Sequence, residues 1–180
     1  MFFYAFNVSA DGYVMDAEGN FDWSVPDEEL HLFWNDVQRR TVLNVYGRHL
    51  WETMRYWDDP PADSDDVSLA YAAAWQQTPT LLVSSTLDES SVRAGLHSHA
   101  SVRVVRSPDE VPDTDGPAQV GGPGLASAMV DRIDEFWPVI HPTAVGGGTP
   151  FFPAGRRLDV TLVEERKFDS GAVLLRYRRS

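Results

Sequence analysis

The segment Gln119-Val120-Gly121-Gly122-Pro123-Gly124-Leu125, continuing into Ala126-Ser127-Ala128-Met129-Val130, constrains this chain more than any other stretch. A β-like pair runs into three glycines within four positions, and an apolar helical pattern follows at once. Glycines there remove the Cβ atoms that would keep a phosphate away from backbone N–H groups, and the helix would add unpaired donors and the positive end of its dipole. Gly-Gly-Pro-Gly is also a good tight turn. The segment alone leaves both readings open, a phosphate loop and a plain strand-to-helix turn.

The rest of the chain repeats the alternation of strand and helix. Phe2 to Val8 reads as a buried strand ending at the turn Ser9-Ala10-Asp11-Gly12, with a loop from Tyr13 to Phe21. Pro26 opens a helix whose first turn holds Asp27, Glu28 and Glu29, and Leu30, Phe33, Trp34 and Val37 follow at helical spacing. Thr41 to Tyr46, Thr80 to Ser84, Val102 to Val105 and Gln119-Val120 read as strands, residues 48–57 and 69–77 as short helices. Glu135 to Ile140 is a further strand, and its internal Pro138 predicts an edge position or a bulge. Leu158 to Lys167 and Ala172 to Arg178 predict an antiparallel hairpin turning at Asp169-Ser170-Gly171. Together these predict one α/β domain over residues 1–180 with a mostly parallel sheet.

Charge and composition exclude several partners. Twenty-seven acidic against 15 basic residues give a net charge of −12, which repels a phosphate backbone, so nucleic acid is not an expected partner. No apolar run approaches the roughly 20 residues that span a bilayer, so no membrane partner is expected. The absence of cysteine removes disulfides, thiolate metal sites and cysteine nucleophiles, and fits a cytoplasmic location. Asp58, Asp59, Asp63, Asp65 and Asp66 read as solvated surface, and His97-x-His99 as an incidental pair and not a metal site.

Four segments carry a family resemblance. Ser9-Ala10-Asp11-Gly12 resembles the Ser-Leu-Asp-Gly turn after strand one of riboflavin-type reductases. Gly47-Arg48-His49-Leu50-Trp51-Glu52 resembles their Gly-Arg-x-Thr-x-Glu segment. Gly121-Gly122-Pro123-Gly124-Leu125 stands where that family has its pyrophosphate loop. Asp134-Glu135 through Pro142, then Gly146-Gly147-Gly148-Thr149-Pro150-Phe151-Phe152, resembles its Val-Asp-Glu-Leu … Gly-x-Gly-x-Pro-Leu-Phe block. In this order the chain resembles the dihydrofolate reductase-like superfamily, and within it stand-alone relatives of the reductase domain of the bifunctional riboflavin-biosynthesis deaminase-reductase.

That resemblance implies a three-layer α/β/α fold with a C-terminal antiparallel hairpin, NADPH as cofactor, and hydride transfer to a pterin- or aminopyrimidine-like small molecule. It implies that Gly47, Arg48, His49 and Leu50 lie along the adenosine ribose and 2′-phosphate. Ser84, Ser85 and Thr86 would lodge the adenosine half, and Gly121, Gly122, Pro123, Gly124 and Leu125 the pyrophosphate. Ala10 and the loop up to Trp23 would close over the nicotinamide as a mobile gate. By their residue types alone, Arg48 also reads as a surface salt-bridge arginine and the Ser84 segment as turn capping.

Two acids are candidates for the chemistry. Trp23-Ser24-Val25-Pro26-Asp27-Glu28 has the Trp-x-x-Pro-x-acid spacing of folate reductases, which puts Glu28 on the acid's position; Asp11 matches the riboflavin-type turn. Three acids at a helix start are also ordinary dipole complements, and Asp11 could instead hold its turn by bonding backbone N–H groups. The chain departs from the pattern at Leu50 and Ala10, shows no basic cluster for a ribose phosphate, and contains no deaminase half. The alternative function is a non-catalytic nucleotide- or partner-binding protein on the same fold. Phe136, Trp137, Phe151 and Phe152 are either core or the face of the homodimer that the resemblance implies.

Overall fold

Phe2–Val8 forms β1, and the main sheet is built outward from it. The computed structural model describes residues 1–99 and 101–180. After β1 come β2 (Tyr13–Met15), α1 (Glu28–Arg40), β3 (Leu43–Gly47), α2 (Arg48–Met54) and α3 (Asp66–Gln77). There follow β4 (Thr80–Val83), α4 (Glu89–Ala94), β5 (Val102–Val105), β6 (Ala118–Gly121), α5 (Pro123–Ala128) and β7 (Glu135–Ile140). The chain ends with β8 (Thr149–Pro150), β9 (Val160–Lys167) and β10 (Val173–Arg179). The sheet order is β5-β4-β3-β6-β1-β7-β10-β9, and β2 pairs separately with β8.

The first six strands of that order are mutually parallel; β10 alone runs against them, and β9, antiparallel to β10, returns to their direction. Side chains alternate across β1: Phe3 and Ala5 pack with Val37 of α1, while Phe2, Tyr4 and Val8 join the cluster that holds Leu125, Ala126 and Met129 beside α5. Trp51 of α2, Trp75 of α3 and Val92 of α4 pack together on Tyr46 and Leu82. Helices α1 to α4 thus cover one face and α5 the other, giving the three-layer α/β/α architecture with its antiparallel hairpin. Among the described residues no helix is long and apolar enough to cross a membrane.

Several local expectations change. Tyr13 to Phe21 is not all loop, because Tyr13–Met15 finds a partner strand about 135 residues downstream. Pro26 lies two residues before α1; Asp27 is the cap, its carboxylate accepting from Leu30 N–H at 2.9 Å. The segment Glu89–Ala94, which has no long apolar stripe, forms a helix behind the cap Asp88. Most instructive is β7, a central strand between β1 and β10 and not an edge. Its pairing with β10 holds at Ile140, Val139, Phe136 and Glu135 but opens around Pro138, where no N–H exists to donate. The proline is accommodated by a gap in one ladder, not by exile to the rim.

Asp58 is another correction. It is not solvated surface: its side chain is only 4% exposed and accepts the N–H groups of His97, Ser98 and His99 at 2.7, 3.0 and 2.8 Å. Burial pushes its pKa up, but those three donors and the His97 side chain bring it below the ordinary aspartate value. The expected aromatic strip also separates. Phe136 and Phe151 are core, whereas Trp137 lies on the α1 face, stacked on Phe3 at 4.6 Å with Arg176 over its ring.

Candidate functional site

Parallel strands leave their carboxyl ends along one edge, where the chain must open into loops, and crevices there are the usual ligand sites of such sheets. The predicted site residues gather on that edge. Ser84-Ser85-Thr86 follows β4, Gly47 to Leu50 ends β3 and enters α2, Gly121 to Leu125 ends β6 and enters α5, and Ser9 to Gly12 follows β1. Because β4, β3, β6 and β1 are immediate neighbours, four segments scattered over about 115 residues become one continuous rim.

At the glycine loop, Gly121 has no room for a side chain, since a Cβ would overlap Leu50 and Tyr46. Gly122 has φ +98°, a conformation that side-chain-bearing residues avoid, while Gly124 faces open space. Helix α5 spans only six residues and starts with Pro123, which has no N–H. The accessible backbone therefore comes chiefly from the glycines, and the helix dipole contributes less than the sequence alone implied.

Arg48 and His49 begin α2 on the surface. Arg48 is half exposed and donates through Nε to Glu52 at 2.9 Å, leaving its terminal nitrogens without a partner among the described residues. The hydrogen bond from Arg48 lowers the Glu52 pKa, so the pair is ionised at neutral pH. His49 is 99% exposed. Ser84 is buried and its hydroxyl accepts the N–H groups of Thr86 and Leu87 at 3.3 and 3.2 Å, the capped turn that its residue type suggested. Arg106 clamps the same turn through the carbonyls of Ser84 and Leu87.

Asp11 joins two loops. Its carboxylate accepts Ser9 Oγ–H at 2.6 Å, Gly146 N–H at 2.7 Å and Val145 N–H at 3.1 Å. The Ser9 hydroxyl first and then those two backbone donors hold its pKa below the ordinary value, so it stays ionised at neutral pH. Ala10 N–H donates to Thr143 at 2.7 Å, and Phe151 N–H to Gly12. The first half of the expected gate is therefore tied to the 141–151 loop. Beyond it, Asp16 closes its own turn by accepting the N–H of Asn20 at 2.7 Å.

Beside the rim, between α1 and α2, lies a cavity of about 200 Å³. Its floor is Ala5 and Asn7 of β1, Tyr46 of β3 and Gln119 of β6; its walls are Pro26, His31 and Trp34 on one side and Leu50, Met54, Trp57 and Tyr71 on the other. Asn7 is fixed, donating to Ser24 C=O at 3.0 Å and accepting from Trp34 Nε1 at 3.2 Å. Glu28, the acid named by the Trp-x-x-Pro-x-acid spacing, is exposed at the start of α1 and does not line this cavity. His31, three residues on, does. Its ring lies 6.0 and 5.9 Å from those of Trp57 and Tyr71, and burial lowers its pKa against the weaker pull of Asp65, leaving the imidazole neutral at pH 7.

Sequence reasoning missed His31 and Gln119. The signal for His31 was available, since it precedes Trp34 by three positions and so shares its helix face. Nothing local marks Gln119, whose meaning depends on its strand being central. His99 is buried with Nε2 3.1 Å from Thr80 Oγ1, and His97 is largely exposed; among the described residues no three potential ligands converge as a metal site.

No family model matches the chain. It is 25% identical over 179 residues to the uncharacterized protein YyaP of Bacillus subtilis (strain 168), covering 94% of this chain and 90% of that one. Its fold is similar to that of a Shewanella sp. PV-4 protein whose name assigns it to riboflavin biosynthesis, with TM-score 0.75, 21% identity, and coverage of 99% and 98%. It is also similar to a Thermotoga maritima diaminohydroxyphosphoribosylaminopyrimidine deaminase/5-amino-6-(5-phosphoribosylamino)uracil reductase, with TM-score 0.66 and 14% identity. All of this chain but only 56% of that longer protein is covered.

Proposed function

We propose that this chain is an NADPH-dependent reductase of a small heterocyclic molecule, of pterin or aminopyrimidine type. The observation that carries the reading is the convergence of the Gly47, Ser84 and Gly121 segments on one rim, next to an aromatic cavity on the same sheet edge. The fold shared with a deaminase/reductase supports it.

The residues fit such a cofactor. The clearance at Gly122 and Gly124 admits a pyrophosphate to the backbone, and the free terminal nitrogens of Arg48 suit a 2′-phosphate. Ser85 and Thr86 are exposed beside them, on a turn that Ser84 holds in shape. Bound NADPH would supply a hydride to the occupant of the cavity. The chain's own part is to orient that occupant between aromatic walls and keep water away. Asp11, ionised and accepting three hydrogen bonds, is a poor proton donor and serves to fix the loop pair. Glu28 is too exposed to control a proton in the cavity; His31, neutral and facing it, is better placed. A second copy of the chain is the proposed partner, and the cytoplasm its proposed location.

Titration with NADPH and NADH, followed by tryptophan quenching, tests the reading. Micromolar binding that favours NADPH is expected. Failure to bind either would leave the chain as a binding protein on a reductase fold.

A further inference from the structure

We infer that the cavity selects a small planar heterocycle that carries a hydrogen-bond donor and acceptor side by side and bears no phosphate, with Gln119 and His31 as the specificity-determining residues. This rests on the assignment of the cavity as the substrate site.

Size limits the occupant first. About 200 Å³ lies below the roughly 300–1,000 Å³ of sites for drug-sized ligands, so the cavity encloses one ring system, and a sugar-phosphate tail would have to run out of its open side. The walls favour a flat occupant: Trp57 and Tyr71 lie 4.7 Å apart with His31 close to both, and Trp34 lies one turn along α1 from His31.

Gln119 then fixes the chemistry of the edge. It sits on β6 between β1 and β3, half-buried, yet its amide makes no hydrogen bond among the described residues. Amides near it are used internally: Gln38 Nε2 donates to Thr78 Oγ1 at 2.9 Å, and Asn44, beside Gln119 in the ladder, lies 3.4 Å from Gln38. The Gln119 amide is thus left to water, which a ligand of matching polarity can displace. A primary amide offers one acceptor and two donors, the complement of a ring edge such as N–H next to C=O. The His31 ring likewise makes no hydrogen bond among the described residues and, when neutral, offers one donor and one acceptor.

Charge excludes phosphate. Among the described residues no Lys or Arg lines the cavity, and the charge acting on His31 is the carboxylate of Asp65, which caps α3 by accepting Ser68 N–H at 2.7 Å. Arg48 cannot help. Leu50 and Met54 are the α2 residues that face the cavity, and Arg48 lies about 200° around the helix from Leu50, beside Glu52. A phosphate held in the cavity would lie near the Asp65 carboxylate with no lining cation to meet its charge.

Isothermal titration calorimetry with 2-amino-4-hydroxypteridine and with uridine 5′-monophosphate, without cofactor, tests this. The pteridine is expected to bind at least about tenfold more tightly than the nucleotide. Gln119→Leu should weaken it by about tenfold or more, the usual cost of one or two hydrogen bonds, with NADPH affinity unchanged. His31→Phe, which keeps a ring in the wall, should weaken it several-fold and decides the same question if Gln119→Leu does not fold. Equal or tighter nucleotide binding, no pteridine binding, or unchanged affinity in both variants would overturn the inference. Pteridine binding by a chain that ignores NADPH would uphold it while removing the reductase reading.

Discussion

Arg48→Ala separates the two roles open to this arginine, because each predicts a different magnitude in a different assay. As half of an exposed i,i+4 pair with Glu52 it contributes about 0.3–0.5 kcal/mol to stability, so its loss should lower Tm by only about 1–2 °C. As the ligand of a 2′-phosphate, its unpaired terminal nitrogens would make charge-assisted bonds together contributing about 1.5–3 kcal/mol, or roughly 10- to 150-fold in the Kd for NADPH. NADH lacks that phosphate and should be unaffected. Glu52→Gln gives the opposite sign: it removes a carboxylate that competes for the guanidinium and repels the incoming phosphate. Tightening on the order of threefold is expected, the size of one charge pair about 6 Å apart in water. Both titrations should be run at low salt, since the effect is screened at high ionic strength. Equal changes for NADPH and NADH, or weaker NADPH binding in Glu52→Gln, would refute the assignment and leave Arg48 as a surface ion pair.

Asp58→Asn should lower stability by about 1–3 kcal/mol at pH 7, read by urea denaturation, since an amide cannot accept all three N–H groups of the 97–99 turn. The native Asp58 pKa is lowered, so the wild-type advantage should be complete above the ordinary aspartate value of about 3.9 and shrink as pH falls through the native one; an advantage that grows toward acid would contradict this. Asp11→Ala should speed amide hydrogen exchange at Val145 and Gly146 while leaving the core strands protected, and unchanged exchange at those two amides would remove its loop-fixing role.

Features set by neighbouring residues were legible in the sequence. The apolar run Phe2–Val8, the helical spacing of Leu30, Phe33, Trp34 and Val37, and the turn between β9 and β10 each follow from local periodicity and turn chemistry. The glycines at 121, 122 and 124 marked a strand-to-helix joint, but the need for a missing Cβ is local only at Gly122, with φ +98°; at Gly121 it comes from Tyr46 and Leu50 on the neighbouring β3 and α2. Tertiary structure decided the rest, because it sets which distant segments meet. Asp11 acquires its role from Gly146, 135 residues away, and Asp58 is buried by a turn about 40 residues downstream. Pro138 argued for an edge position or a bulge; β7 is central, and its ladder to β10 opens where the N–H is missing. Gln119 carries no local signal; only its insertion between β1 and β3, with α1 and α2 standing apart above it, leaves its amide facing a cavity. Sequence periodicity determines which face of an element is apolar, whereas the polar groups left for a ligand are known only after every other partner has been placed.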